Sequence, residues 1–216
     1  MIKQTEKSIS DSSEYSSSRL EAFSDGVFAI AITLLVLNIQ LPENASNITI
    51  DKALLLSIPK LEVWIISFFI IGNMWMRHHK LINQLTRIDA LFIKLNLFYL
   101  MFVTVIPWLV SLIVVYDNQP MAITVFSGSI ALLTLINLFI WIYVSNIKKI
   151  ISDKVTNYQK KLTLINIIIV ILVALLSILV AYKVAVRLAL YCYFLTPLFD
   201  HIVKLIFKNK DETKSN

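Results

Sequence analysis

Arg19-Leu-Glu-Ala-Phe23-Ser24-Asp25 runs without a break into the apolar stretch 26–39, Gly-Val-Phe-Ala-Ile-Ala-Ile-Thr-Leu-Leu-Val-Leu-Asn-Ile. A carboxylate one turn into such a stretch is costly in hydrocarbon, so Asp25 needs a partner and marks a place with a role. More apolar runs of this length follow. At about 20 residues per crossing, spans are expected at 19–40, 55–78, 89–115, 121–145, 162–182 and 184–206. Their apolar residues are contiguous and do not alternate with polar ones, so the spans read as helices and not as strands of a barrel. The expected fold class is an all-α integral membrane protein, a six-transmembrane-helix bundle.

The composition agrees. The chain has 216 residues, 57% hydrophobic and 16% charged, with a mean hydropathy of +0.75. So few charges cannot cover a soluble domain. Three Gly and five Pro leave the helices long. The net charge of +6 resides in loops, as expected of topology determinants, so nucleic acid is not an expected partner. The single cysteine, Cys192, excludes an internal disulfide and a Cys-based metal site. Residues 1–17 read as a polar, Ser-rich tail, 18–207 as one membrane domain and 208–216 as a second tail. The N-terminus lacks the apolar region of a signal peptide, so the first span is expected to persist.

Loop charge sets an orientation. Basic residues fill the N-terminal tail, the second loop (Arg77, Lys80, Arg87), the fourth (Lys148, Lys149, Lys154, Lys160, Lys161) and the C-terminus. The first and third loops are poor in them. Both termini are therefore expected on the cytoplasmic side. Lys183 and Arg187 are the exception, in a short turn where snorkelling is easy. The triplets Asn44-Ala-Ser46 and Asn47-Ile-Thr49 are glycosylation sequons on the opposite side, of a kind common by chance.

On the first helix, Phe23, Gly26, Ile30, Thr33 and Leu37 fall on one stripe at 100° per residue, with Leu34 at its border. Two readings fit. The stripe is an ordinary packing face, or symmetric copies of Ile30, Leu34 and Leu37 form rings that close a path by dewetting, with Thr33 offering hydroxyls to a cation. Asp25 lies roughly opposite the stripe, at the depth of Trp75, His78, His79 and Asn96. A network from Asp25 through His78 or His79 to Asn96 would satisfy these groups and tie three helices together, with Ser24 joining it. A structural role for Asp25 is expected over direct transport. His78 and His79 diverge by 100° on a helix and have no carboxylate at ligand spacing along the chain, so no metal site is expected. Asn73, Lys94, Asn137, Asn166 and Thr196 are further polar residues within spans, and Pro107 and Pro197 are expected to kink the third and sixth.

Several chemistries lack their residues. The chain contains no Thr-Val-Gly-Tyr-Gly filter, no span with Arg at every third position and no Gly-x-x-x-x-Gly-Lys loop. No catalytic constellation is present, so an enzyme is not expected, nor a cofactor.

The Arg-x-x-x-Phe-Ser-Asp pattern at 19–25, its aliphatic continuation with Thr33, and Trp75-Met-Arg-His-His79 resemble the transmembrane protein 175 family of potassium channels, in its single-repeat prokaryotic form. The resemblance implies a homotetramer in the cell membrane around a pore lined by the first helix. It implies potassium, with other monovalent cations, as the transported ion. It places the hydrophobic constriction on Ile30, Leu34 and Leu37, selectivity on Thr33, and a structural network on Arg19, Phe23, Ser24 and Asp25 with a His of the second span. A proton-coupled transporter centred on Asp25 and a non-conducting scaffold are the alternatives.

Overall fold

A computed structural model describes residues 17–42 and 45–212. Most of the N-terminal tail, the last four residues and Asn44 of the first sequon lie outside them. Among the described residues six helical stretches are long and apolar enough to cross a membrane: Ser17–Asn38, Ile50–Ile82, Ala90–Val115, Pro120–Ile147, Asn157–Lys183 and Val186–Val203.

The first stretch is α1 (Ser17–Leu34), which tightens into a 3-10 turn at Leu35–Asn38. The second, α2 (Ile50–Ile82), has 33 residues, or about 50 Å at 1.5 Å per residue, more than a bilayer's hydrocarbon requires. It starts before and ends after the expected 55–78, so Trp75 to His79 all stand on one rigid helix. The third crossing is broken, as expected from Pro107. Here α3 (Ala90–Val103) gives way to α4 (Ile106–Val115), with Pro107 in the first turn of α4. Asn38 donates to the Pro107 carbonyl at 3.3 Å, tying the end of α1 to this break.

The fourth crossing is α5 (Pro120–Ile142), ending in a π turn at Tyr143–Ile147. The fifth is α6 (Asn157–Lys183), which starts from a reciprocal cap between Thr156 and Gln159. The sixth splits into α7 (Val186–Tyr191), a 3-10 turn at Cys192–Phe194 and α8 (Leu195–Glu212). The break lies upstream of Pro197, because that residue lacks the N–H that would bond back to the Tyr193 carbonyl. The helix α8 continues past residue 207, where the second tail was expected.

The helices α5 and α6 form the most extensive pair, and α6 also covers α7 and α8. Small hydroxyls let these helices approach. Ser127 donates to Ser177 at 3.2 Å, and Ser177 to the Ala189 carbonyl at 2.8 Å. The helix α1 packs on α2 and α3, burying Phe28, Ala31 and Leu35 beside Ile71, Phe92 and Val103.

At the end of the bundle where α2 stops, two loops are zipped together. Thr86 N–H donates to the Ile150 carbonyl at 2.9 Å, and Ser152 N–H to Gln84 at 2.8 Å. Asp89 anchors this end. One carboxylate oxygen accepts from the Phe92 N–H at 2.8 Å and caps α3. The other accepts from the Tyr143 hydroxyl at 2.6 Å. Desolvation by itself raises the Asp89 carboxyl, but the Tyr143 and Phe92 donors, with Lys148 and Arg87 nearby, outweigh it and hold the group below the usual carboxylate range.

A carboxylate with a depressed folded value contributes stability that is present above its unfolded value of about 3.9 and is lost as pH falls through the folded one. Asp89→Ala should therefore cost about 2 kcal/mol at pH 7, and the deficit should shrink in acid below pH ~4. Unfolding in mixed micelles at the two pH values checks this. An equal deficit at both would contradict it.

Candidate functional site

The two faces of α1 differ sharply. Leu20, Ser24, Phe28, Ala31 and Leu35 are buried against α2 and α3, at the three- and four-residue spacing of one helical face. On the other face Phe23, Ile30, Leu34 and Leu37 are 52%, 61%, 41% and 64% exposed in one subunit. Gly26 and Thr33 lie exposed on the same face. The Thr33 hydroxyl donates to the Ile30 carbonyl at 2.9 Å, which fixes its rotamer and leaves the oxygen's lone pairs outward. Leu37 sits in the 3-10 turn, where three residues complete a turn, so it lies directly in line with Leu34.

Glu21, Ser24 and Asp25 of α1 turn toward α2 and α3 and divide into two groups. Asp25 accepts from the Trp75 indole N–H at 2.8 Å. His79 Nδ1 lies 3.2 Å from Glu21 Oε1 and 3.9 Å from Asp25 Oδ1, and its Nε2 is 3.0 Å from the Asn83 amide. Separately, Asn96 of α3 donates to Ser24 at 3.1 Å, and Ser24 donates to the Leu20 carbonyl at 2.8 Å. Asp25 therefore meets His79, and Asn96 meets Ser24 and not a histidine. The 100° between adjacent helical positions explains the split. His79 turns toward α1, and His78 turns inward.

His78 is 1% exposed. Its ring stacks on Tyr99 at 5.2 Å between centroids and 14° between planes, with Phe28 tilted against its other side at 5.5 Å. Its interactions there are aromatic. Arg19 and Phe23 are exposed and stand outside both polar groups.

Sequence spacing did not single out Glu21. It lies four residues before Asp25, and that i, i+4 relation was the available signal. It also missed an ion pair between spans. The Arg77 guanidinium donates to both oxygens of Asp200 on α8, at 3.3 and 3.1 Å, and to the Asn166 carbonyl of α6 at 3.0 Å. A cavity of about 260 Å³ adjoins it, lined in part by Tyr99, Asn137 and Thr196. An acid in the final apolar span was the clue to a basic partner elsewhere.

Residues 19–107 match the family model described as endosomal/lysosomal potassium channel TMEM175. A protein of Chamaesiphon minutus named as a potassium channel is 32% identical over 146 residues, covering 65% of this chain and 72% of that one. The chain belongs to the TMEM175 family. A Streptomyces collinus protein, also named as a potassium channel, is 41% identical over 106 residues, or 49% of this chain. The matched segment spans about half, 52%, of that relative's length. The crystal structure of a lysosomal potassium-selective channel TMEM175 homolog from Chamaesiphon minutus superposes with a TM-score of 0.60 at 28% identity. It covers 83% of this chain and 97% of that one. This TMEM175 family member is thus a multi-pass membrane protein of the same architecture, with the six helical crossings described above.

Two of the polar contacts between its helices can be weighed. In a cycle of Asp25→Ala, Trp75→Phe and the double variant, unfolding in mixed micelles should show a coupling of about 1 kcal/mol. Additive effects would mean that the bond is not formed. Asp200→Leu alone should cost about 2 kcal/mol, because it leaves the Arg77 charge unpaired. Arg77→Met in the same chain should recover most of that loss. A double variant no more stable than Asp200→Leu would contradict the pairing.

Proposed function

We propose that this chain forms a homotetrameric, potassium-preferring cation channel whose pore is lined by α1. The observation that carries the reading is the exposed face of α1. A continuous apolar stripe with one backbone-bonded hydroxyl stands at the edge of the subunit, while Glu21, Ser24 and Asp25 turn toward α2 and α3. Family membership and the naming of relatives as potassium channels support it. In the assembly, rings of Ile30, Leu34 and Leu37 form the constriction. An ion entering so narrow an apolar path must shed water, and the rings close it by dewetting. Thr33 places oxygen ligands within this stretch that replace part of the hydration shell, which gives selectivity without a carbonyl filter. Ser24 and Asp25 act as structure at the base of the pore helix, Ser24 through Asn96 and Asp25 through Trp75 with His79 beside it, while Arg19 and Phe23 stand on its open side. Loop charge supports a cell-membrane orientation with both termini cytoplasmic.

Flux from purified protein in liposomes under opposed potassium and sodium gradients tests the proposal. The reversal potential should lie toward potassium and move toward zero in Thr33→Ala. Ile30→Asn, which wets the constriction, should raise flux by tenfold or more, a barrier lower by about 1.4 kcal/mol per tenfold. Silence in both wild type and Ile30→Asn would favour a scaffold. Saturable, pH-driven flux abolished by Asp25→Asn with assembly intact would favour a carrier.

A further inference from the structure

We propose that Glu21, Asp25 and His79 form a binding site for a borderline transition-metal dication such as Zn²⁺, clamping the base of α1 to α2. One ligand atom from each of the three residues lies within 4.8 Å of the others. The two measured edges from His79 Nδ1, 3.2 Å to Glu21 and 3.9 Å to Asp25, bracket the ~3.3 Å between ligands of a tetrahedral ion bound at about 2.0–2.1 Å. The third edge, between the two carboxylates, is no longer than 4.8 Å, and side-chain rotation that draws these oxygens together completes the triangle.

A plain ion pair explains the cluster less well. The buried Nδ1 of His79 sits at contact distance from Glu21 without the alignment of a hydrogen bond. The outer contacts suit a metal site. The Trp75 indole N–H fixes the Asp25 carboxylate at 2.8 Å, and Asn83 sits 3.0 Å from the far ring nitrogen. With its amide turned to present oxygen, Asn83 accepts the proton of Nε2 and leaves the lone pair on Nδ1 for the ion. The side chains of Glu21 and Asp25 are 24% and 39% exposed, so their oxygens can take an ion from water, and the covered Nδ1 of His79 joins as the side chains shift.

The donor set selects the ion class. Two carboxylates and one imidazole suit Zn²⁺, Co²⁺ or Ni²⁺, whereas Ca²⁺ requires six to eight oxygens. Two carboxylates also neutralise a dication, which lowers the cost of holding it beside the bilayer. The ligands come from both helices, so the bound ion cross-links α1 to α2 directly below the exposed stripe. The inference stands whether or not the chain conducts.

Calorimetric titration of ZnCl2 into the full-length protein in detergent, with Mg²⁺ in excess, tests it. Wild type should bind one ion per chain and gain thermal stability on binding. Glu21→Gln, which spares the Trp75–Asp25 bond and should melt like wild type without zinc, should bind at least about tenfold more weakly. His79→Gln should do the same, and His201→Gln should bind like wild type. Absence of saturable binding to wild type, or an unchanged affinity in Glu21→Gln, would overturn the assignment.

Discussion

At the edge of the hydrocarbon, the carboxylate of Asp25 is only part exposed and is held by a donor on a neighbouring helix. That donor is the Trp75 indole N–H of α2, with the His79 ring 3.9 Å away. This requirement sets the rotation of α1 about its own axis. Turning the helix by one residue would carry Asp25 100° away from Trp75 and put Ser24 or Gly26, neither with a carboxylate, in its place. Once the polar side is committed to α2, and Ser24 to Asn96 of α3, the opposite side has no partner within the subunit. Phe23, Ile30, Leu34 and Leu37 are left exposed as a consequence.

A single hydrogen bond between membrane helices is worth roughly 0.6 kcal/mol and at most about 1.7. The polar contacts therefore choose the orientation more than they supply the stability. Packing around them does the larger share, with Phe28 wedged beside His78 and Tyr99. The length of α2 matters here as well. Trp75, Arg77, His78 and His79 project from one uninterrupted helix in different directions. Trp75 and His79 reach α1, His78 meets α3 through Tyr99, and Arg77 bonds to α6 and α8.

The crossings were readable along the chain because apolar runs of that length have few alternatives, and the break at Pro107 because a missing N–H acts locally. The stripe on α1 was readable for the same reason, since it depends only on helical period. Which groups paired was not. His78 and His79 looked interchangeable as partners of Asp25, and only the mutual rotation of α1 and α2 separates them. Arg77 was read as a loop charge, while the fold carries it to Asp200, 123 positions away. Glu21 likewise gained its meaning only when α2 brought His79 beside it.

The central claim is that the exposed face of α1 meets copies of itself. Disulfide trapping in native membranes tests it most directly, using Ile30→Cys, Leu37→Cys and Ala31→Cys, each in a Cys192→Ser background. Cysteines link only when their Cα atoms approach within about 7 Å. Positions 30 and 37 should give covalent dimers under mild oxidation and position 31, which faces α2 and α3, none. Linking at 31, or none at 30 and 37, would contradict it.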